Sequence, residues 1–262
     1  MWAVAIAAVL CRGAVAMQAS ETDGTDSPAE GFVFRSVEIE GRSYPYTVYR
    51  PRGLKDGGRA LVFLHGMGEC GTDGSTPLVV GLPPAMMVAP DRWPFVVLIP
   101  QKPTGESEWE DHEAAVLAML DRLIEEDGVD PERVAITGLS QGGHGTIALA
   151  SRHPGRFVAA APVCGYVQRF WEDGERGWRA KPDGEAKRAL IESFRSTPIW
   201  LLHGGRDDVV PPGESEWLHG ALQDAGLTSK LTIFPDDNHN SWDSAYRESG
   251  LWAWLVDMTR AR

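Results

Sequence analysis

A serine with the local pattern of an enzyme nucleophile lies near the middle of the chain. Ser140 is the central residue of GLSQG, between the apolar run Val134–Thr137 and a helix-like stretch, Gly142–His153. A strand that turns sharply into a helix at a GxSxG sequence exposes the serine hydroxyl, and the glycines allow the close backbone approach that this turn needs. Glycine-rich helix caps have the same local pattern, so the motif alone is weak evidence and the serine needs partners.

Candidates for those partners lie downstream. A serine hydroxyl needs a base, and the base needs an acid that orients it; in chains with such an elbow the order is serine, acid, histidine. Two adjacent acids, Asp207 and Asp208, lie in LHGGRDDVVP directly after a strand, and His239 lies in NHNSWD, after the last strand. His219 falls inside a predicted helix, so His239 is the predicted base.

The segment FLHGMGECG (63–71) begins where another apolar strand ends. Glycines at such a strand end let the main chain turn its N–H groups inward, and one of them can bind the oxyanion of a tetrahedral intermediate. We predict the backbone N–H groups of Met67 and Gln141 as the two donors. His65 is predicted to hold the loop through a hydrogen bond rather than to act as a base.

The sequence predicts no metal and no cofactor. Asp111-His112-Glu113 has ligand-type side chains, but no second cluster completes a ligand set, and a solvated helix start explains the triplet. The chain has three cysteines and no CxxC, which excludes a thiolate zinc site of the structural kind. Cys70 and Cys164 allow one disulfide, with two free thiols as the alternative. His144, one helical turn after the serine, is expected to pack.

Four of the ten tryptophans are candidates for substrate contact. Trp109 and Trp242 stand next to elements near the predicted catalytic edge, and Trp171 and Trp178 lie in the long connection Gly165–Ser196. An indole can stack on an aromatic or sugar group. Packing against the protein body is the alternative for each, and for Trp242 it is the preferred interpretation.

The elements that must position these residues alternate along the chain. Phe32–Glu40 and Tyr44–Tyr49 alternate apolar and polar residues and predict an antiparallel pair. Solid apolar runs predict buried parallel strands at Ala60–Leu64, Phe95–Ile99, Val134–Thr137, Phe157–Val163 and Ile199–Leu202, followed by Leu231–Phe234. Helices are predicted over Glu106–Glu126, Gly142–His153, Gly213–Ala225 and Ser241–Arg260. This order predicts an α/β fold with a mostly parallel, doubly wound sheet and a short insertion after the sixth strand, usable as a cap or lid.

Length, charge and the N-terminal residues limit the class of protein. The 262 residues carry 25 Lys and Arg against 37 Asp and Glu, a net charge of -12, which argues against binding to nucleic acid or to anionic lipid. The apolar run 1–11 is too short to span a membrane and is typical of a signal peptide, so we predict a signal peptide over 1–16, a disordered linker over 17–30 and one domain over 31–262. This favours a secreted or periplasmic protein. Arg12 interrupts the run and no basic residue precedes it, so a cytoplasmic location is the alternative.

Four motifs taken together resemble the α/β-hydrolase superfamily. They are FLHGMGECG (63–71), DPERVAITGLSQGG (130–143), HGGRDDVVP (203–211) and NHNSWD (238–243). The resemblance is to its esterase branch, which contains polyhydroxybutyrate-depolymerase-like, feruloyl-esterase-like and phospholipase/carboxylesterase-like proteins. It implies the α/β-hydrolase fold and, because the acid stands four residues after the histidine of the third motif, it implies Asp207 rather than Asp208. Cys70 stands where a basic residue is common in this branch.

The function that the resemblance implies is a serine carboxylesterase that cleaves small-molecule or polymer esters through Ser140, Asp207 and His239 and an acyl-enzyme intermediate. Two alternatives remain open at this point. A serine peptidase of prolyl-oligopeptidase-like type shares these motifs, and a non-catalytic binding protein on a hydrolase scaffold is less favoured because the triad and the oxyanion loop are intact.

Overall fold

The computed structural model describes residues 30–53, 58–172, 175–178 and 180–260, and for 169–172 and 175–178 it describes the backbone alone. The strands are Gly31–Ile39 (β1), Arg42–Arg50 (β2), Gly58–Leu64 (β3), Val96–Pro100 (β4), Val129–Leu139 (β5), Ala159–Val163 (β6), Arg169–Glu172 (β7), Glu175–Trp178 (β8), Ile199–Gly204 (β9) and Ser229–Phe234 (β10). The helices are Leu82–Val88 (α1), Glu113–Glu126 (α2), Gln141–Arg152 (α3), Gly184–Ser193 (α4), Gly213–Asp224 (α5), Trp242–Arg247 (α6) and Leu251–Met258 (α7).

Eight of these strands form one sheet, in the order β1-β2-β4-β3-β5-β6-β9-β10. The pairs β1/β2 and β2/β4 are antiparallel, and from β4 onward every neighbouring pair is parallel. The predicted antiparallel N-terminal pair, the parallel strands and the doubly wound α/β-hydrolase arrangement are thereby confirmed. Because the strands are parallel, the loops after β3, β5, β6, β9 and β10 all emerge at one edge of the sheet.

Helices cover both faces of the sheet, which explains why the central strands are apolar without alternation. On one face, β-strand side chains pack against α2, α3, α4 and α5; on the other face, they pack against α1, α6 and α7. Alternate residues of β3 enter the two cores: Val62 faces the first and Phe63 the second, and both are fully buried. Both faces of the sheet are therefore buried, and the polar loops lie at its edges.

The predicted insertion after the sixth strand is present. β7 and β8 form a two-stranded antiparallel sheet of their own, and α4 follows and returns the chain to β9. Neither α4 nor the hairpin was predicted as an element from the sequence. Trp171 lies opposite Arg176, and Trp178 opposite Arg169.

The predicted helix Glu106–Glu126 begins too early, because α2 starts only at Glu113 after a single 3₁₀ turn, Trp109–His112. Carbonyl groups of the preceding loop are used elsewhere: Lys102 Nζ donates to the carbonyls of Thr104 and Ser107 at 2.6 and 2.9 Å. These side-chain bonds stabilise an irregular backbone in the loop before Trp109. The helix predicted there from the acidic residues therefore does not form. The 3₁₀ turn starts at a capping box in which Glu108 and Asp111 bond each other's backbone N–H groups.

The predicted helix Ser241–Arg260 is also wrong as one element, because it is divided into α6 and α7. Gly250 has φ +78° at the break, and Ser249 Oγ accepts a hydrogen bond from the Leu251 amide. A left-handed glycine interrupts a helix. Because the periodic apolar pattern continues on both sides of Gly250, the pattern alone predicts one helix. His112, expected at a solvated helix start, is buried; its ring lies 2.7 Å from Ser107 Oγ and 3.3 Å from the Tyr44 hydroxyl.

The described part of the chain contains no helix that is both long and apolar enough to cross a membrane. The predicted signal peptide, residues 1–16, and all but the last residue of the predicted linker, 17–30, lie outside the described residues. Both therefore stay predictions.

Candidate active site

Ser140 occupies a strained turn between β5 and α3. Its backbone has φ 55° and ψ -117°, a conformation that a residue other than glycine rarely adopts, and its amide donates to the Val163 carbonyl at 2.9 Å. The turn requires two glycines for space: a Cβ on Gly138 would lie 2.3 Å from the Gly142 carbonyl oxygen, and one on Gly142 would lie 1.9 Å from the carbonyl oxygen of Leu64. The elbow that the sequence predicted is formed.

His239 lies between Ser140 and Asp207. Its Nε2 is 2.9 Å from Ser140 Oγ, and its Nδ1 is 2.7 Å from Asp207 Oδ2. The three residues come from loops at the same edge of the sheet and are 99 and 32 positions apart in the chain. The arrangement can take a proton from the serine hydroxyl onto Nε2 while the carboxylate stabilises the imidazolium that results.

The structure brings Asp207, not Asp208, to the histidine. The Asp207 side chain is fully buried, whereas Asp208 is exposed. Asp207 Oδ1 accepts hydrogen bonds from the amides of Val209 and Val210 at 2.9 and 2.8 Å. Burial favours the neutral acid, but hydrogen bonds from two histidine rings and the Val210 amide outweigh it and hold the pKa of Asp207 well below its usual range.

His203, which the sequence analysis did not single out, supports this acid loop. Its ring is fully buried, with Nδ1 2.7 Å from Ser215 Oγ and Nε2 3.0 Å from the carbonyl oxygen of Val210. The same Nε2 lies 3.3 Å from Asp207 Oδ2. A polar residue at the end of a solid apolar strand was the signal that could have identified it.

The loop after β3 lies directly beside Ser140. A Cβ on Gly66 would be 3.5 Å from the Ser140 Cβ, and Met67 begins a short 3₁₀ turn, Met67–Glu69. Gln141 is the first residue of α3, so its amide has no acceptor within the helix. Gly66, the residue before Met67, and Gln141 thus adjoin the serine, and the role of the Met67 and Gln141 amides as oxyanion donors stays a prediction.

Lys102, also not predicted from the sequence, holds the loop after β3 (residues 65–71, called the oxyanion loop below) through several contacts. Its amide donates to His65 Nε2 at 3.2 Å, its carbonyl accepts from the Gly71 amide at 3.0 Å, and its ammonium lies 3.3 Å from Cys70 Sγ. His65 also bonds the Gly66 carbonyl through Nδ1 at 2.6 Å. Burial lowers the pKa of His65 to about 3, so the ring is neutral and holds the loop, as its predicted role requires. Lys102 is the second residue after β4, which ends at Pro100, and this position at the carboxyl end of a parallel strand was the signal that could have identified it.

His144, one turn along α3 from Ser140, is buried and packs, as expected for it. Its ring stacks on Tyr166 at 4.5 Å between centroids, and its Nε2 is 3.1 Å from a Glu110 oxygen. Burial works against the charged ring, but the hydrogen bond and charge of Glu110 raise the pKa of His144. The side chain of Gln141 donates to the carbonyls of Gly105 and Ser107, which fixes the start of α3.

The tryptophans do not share one role. Trp109 is 1% exposed, and its indole N–H donates to the His65 carbonyl at 3.2 Å, so the predicted substrate contact is corrected to a core position beneath the oxyanion loop. Trp242 is half-buried and meets the His239 ring edge-on at 5.5 Å. The side chains of Trp171 and Trp178 lie outside the described residues, so their contact with substrate stays a prediction.

Both cysteines in the described residues are free thiols. Cys70 is in the oxyanion loop and Cys164 is fully buried at the end of β6. Within the described residues, one set of three metal-ligand side chains lies close together, formed by Cys164, Asp207 and His239.

A sequence profile of the prolyl oligopeptidase family (Peptidase_S9) matches residues 102–261. The chain belongs to this family. The matched segment contains the serine, acid and histidine described above, and the loop after β3 precedes it.

Three similar proteins illustrate the range of relatives. An uncharacterized secreted protein of Arthroderma benhamiae is 33% identical over 116 residues, 40% of this chain and 12% of that protein. Acylamino-acid-releasing enzyme 1 of Oryza sativa subsp. japonica is 29% identical over 148 residues, 47% of this chain and 19% of that protein. A crystal structure of a thermostable esterase superimposes with a TM-score of 0.70 at 27% identity, covering 87% of this chain and 63% of that one. The chain spans less than a fifth of the length of the two sequence relatives.

Proposed function

We propose that this protein is a serine hydrolase that cleaves carboxylic esters. His239 takes the proton of Ser140 as Oγ attacks the ester carbonyl, and Asp207 holds the ring in the tautomer that leaves Nε2 free to accept it. The amides of Met67 and Gln141 donate to the oxyanion. His239 then protonates the departing alcohol, and water attacks the acyl-enzyme by the same route in reverse.

The observation that carries the proposal is the hydrogen-bonded chain from Ser140 through His239 to Asp207, at 2.9 and 2.7 Å. The strained φ of the serine supports it, because a buried elbow with positive φ costs stability and serves to present the hydroxyl. The likeness to a thermostable esterase supports esters as the substrate class.

The test is the turnover of p-nitrophenyl acetate by Ser140→Ala. Turnover is expected to fall to the rate of the uncatalysed reaction, while labelling by a fluorophosphonate probe disappears with it. Ser151→Ala is the matched control, because Ser151 lies on the same helix α3, away from the triad, and its hydroxyl donates to the Ala148 carbonyl. Activity retained by Ser140→Ala, with both variants folded, would contradict the assignment.

A serine peptidase is the second candidate, and two findings favour it: the prolyl oligopeptidase profile and the acylamino-acid-releasing relative. The same triad serves both reactions, but amide cleavage depends more on His239 as the acid that protonates an amine. Acetyl p-nitrophenyl ester and acetyl p-nitroanilide share the acyl group and differ in the bond cleaved. A kcat/KM ratio strongly in favour of the ester supports the first candidate, whereas efficient cleavage of N-acetyl-aminoacyl anilides supports the second.

Aromatic preference is a separate part of the proposal. Trp171 and Trp178 are opposite the arginines of the β7/β8 hairpin, which follows the strand next to the elbow. Comparing acetyl, benzoyl and cinnamoyl esters on the wild type, Trp171→Ala and Trp178→Ala tests stacking. A loss confined to the aromatic esters supports substrate contact, and equal rates on all three esters refute it.

We also propose export, on the apolar run 1–11 and the AVA site at 14–16. The relative named as a secreted protein supports it. N-terminal sequencing of the protein from whole culture distinguishes a chain that begins after Ala16 from one that keeps residues 1–16.

A further inference from the structure

We propose that a thiophilic divalent cation, with Zn²⁺ as the biologically available example, binds at Cys164, Asp207 and His239 and thereby switches the active site off. One sulfur, one carboxylate oxygen and one ring nitrogen from these residues all lie within 4.8 Å of one another. This mixture of sulfur, nitrogen and oxygen donors suits zinc. The cluster lies at the candidate active site, but its ligand and its effect are independent of the proposed substrate.

The topology explains why the thiol is there. β6 lies between β5, which ends one residue before Ser140, and β9, which leads to Asp207. Cys164, the first residue after β6, donates its amide to the Leu202 carbonyl at 2.8 Å, while the Ser140 amide bonds Val163 next to it. This strand position between the nucleophile strand and the acid strand brings its sulfur within 4.8 Å of donor atoms of Asp207 and His239.

The distances are compatible with a tetrahedral ion after a small adjustment. With bonds of about 2.3 Å to sulfur and about 2.0–2.2 Å to nitrogen and oxygen, ligand atoms on zinc stand roughly 3.3–3.7 Å apart. The donor atoms here are at most 4.8 Å apart, so the longest separation must close by about 1 Å. If Nδ1 is the ligand, its present distance of 2.7 Å to Asp207 Oδ2 must also open by roughly 0.6 Å. The His239 side chain is 16% exposed, whereas the thiol is fully buried, so the ion enters from the side of the histidine.

Binding stops catalysis whichever ring nitrogen is used. The Cys164 thiol loses its proton to solvent, and the metal takes lone pairs from the thiolate, from Asp207 and from His239. If Nε2 is the ligand, its lone pair can no longer accept the serine proton. If Nδ1 is the ligand, its proton moves to Nε2, and the neutral ring again presents no acceptor to Ser140. No oxidant or reductant is involved, and a chelator reverses the state.

The test compares inhibition in a buffer without thiols or chelators, each variant being scored against its own metal-free rate. Zn²⁺ and Cd²⁺ are expected to inhibit the wild type reversibly. Cys164→Ser is expected to need roughly 100-fold more metal for half-inhibition, since it loses the sulfur ligand. Cys70→Ser is the matched control, because it removes the other free thiol of the described residues and is expected to keep wild-type sensitivity. Equal sensitivity of Cys164→Ser and wild type, or no inhibition of the wild type, overturns the inference.

A second measurement does not depend on hydrolysis. Co²⁺ added to Ser140→Ala is expected to give a near-ultraviolet thiolate-to-metal charge-transfer band, which disappears when Cys164→Ser is added to that variant. If the protein does not hydrolyse esters but the band appears, the result supports the metal site independently of the proposed function. A band that survives loss of Cys164, or that never forms, refutes the site.

Discussion

Replacing Asp207 with asparagine tests the triad more sharply than removing the serine does, because the structure dictates how the new amide must sit. The amides of Val209 and Val210 both donate to Oδ1, at 2.9 and 2.8 Å. The oxygen of the asparagine must stay there, since an NH₂ group would leave both donors, the buried Val210 amide among them, without an acceptor. The NH₂ group is therefore placed against His239, 2.7 Å from where Nδ1 now lies.

This orientation forces the wrong tautomer. Facing a donor, His239 Nδ1 must present its lone pair, so the ring proton moves to Nε2 and points at Ser140 Oγ. The histidine can then no longer accept the serine proton. The same change in a serine protease lowers kcat by about 10⁴, equivalent to about 5 kcal/mol of transition-state stabilisation, and we expect a loss of that order here.

The assay is kcat for p-nitrophenyl acetate together with the rate of fluorophosphonate labelling, which reports serine reactivity whatever the natural substrate. Asp208→Asn is the matched control: the neighbouring acid is exposed, so its rates are expected to stay within about twofold of wild type. A kcat for Asp207→Asn within tenfold of wild type, or a larger loss in Asp208→Asn, would refute the assignment of the acid and the tautomer argument.

Three further outcomes are expected. Gly142→Ala should unfold or inactivate the protein, because its Cβ would lie 1.9 Å from a carbonyl oxygen, whereas Gly220→Ala, with no atom within 4 Å, should be stabilised by up to about 1 kcal/mol in urea denaturation. Asp127→Asn, which leaves two buried or half-buried arginines without their carboxylate, should lose about 3 kcal/mol, while Glu192→Gln, at an exposed ion pair, should leave the urea midpoint unchanged. Because the pKa of Asp207 is lowered on folding, its ionised form stabilises the fold above the unfolded-state pKa of about 4, and this contribution is lost as the pH falls further. The stability difference between wild type and Asp207→Asn, measured by urea denaturation, should therefore shrink as the pH falls below about 4; a difference that grows over that range would contradict the sign.

Local sequence determined the parts of the fold that depend on local physics. The solid apolar runs correspond to buried strands because only strands covered on both faces need no polar side. The order of motifs at strand ends also placed Ser140 and His239 at one edge, because parallel strands carry their following loops to the same side. Two predicted helices have other boundaries in the structure: one is divided at the left-handed Gly250, and the other starts later because carbonyls of the preceding loop bond Lys102.

What only the tertiary structure decided is which neighbouring groups meet across that edge. Asp207 and Asp208 are neighbouring residues of the same type. They differ in role because the Asp207 carboxylate is enclosed by His203, His239 and two amides, while the Asp208 carboxylate faces solvent. Trp109, predicted at the substrate, is in the core because its N–H bonds a loop carbonyl 44 residues away. The thiol of Cys164 lies near His239 and Asp207 because β6 has β5 on one side and the non-consecutive strand β9 on the other. The types and order of the residues were enough to predict which ones react. Their hydrogen bonds, burial and charge depend on contacts between distant segments of the chain.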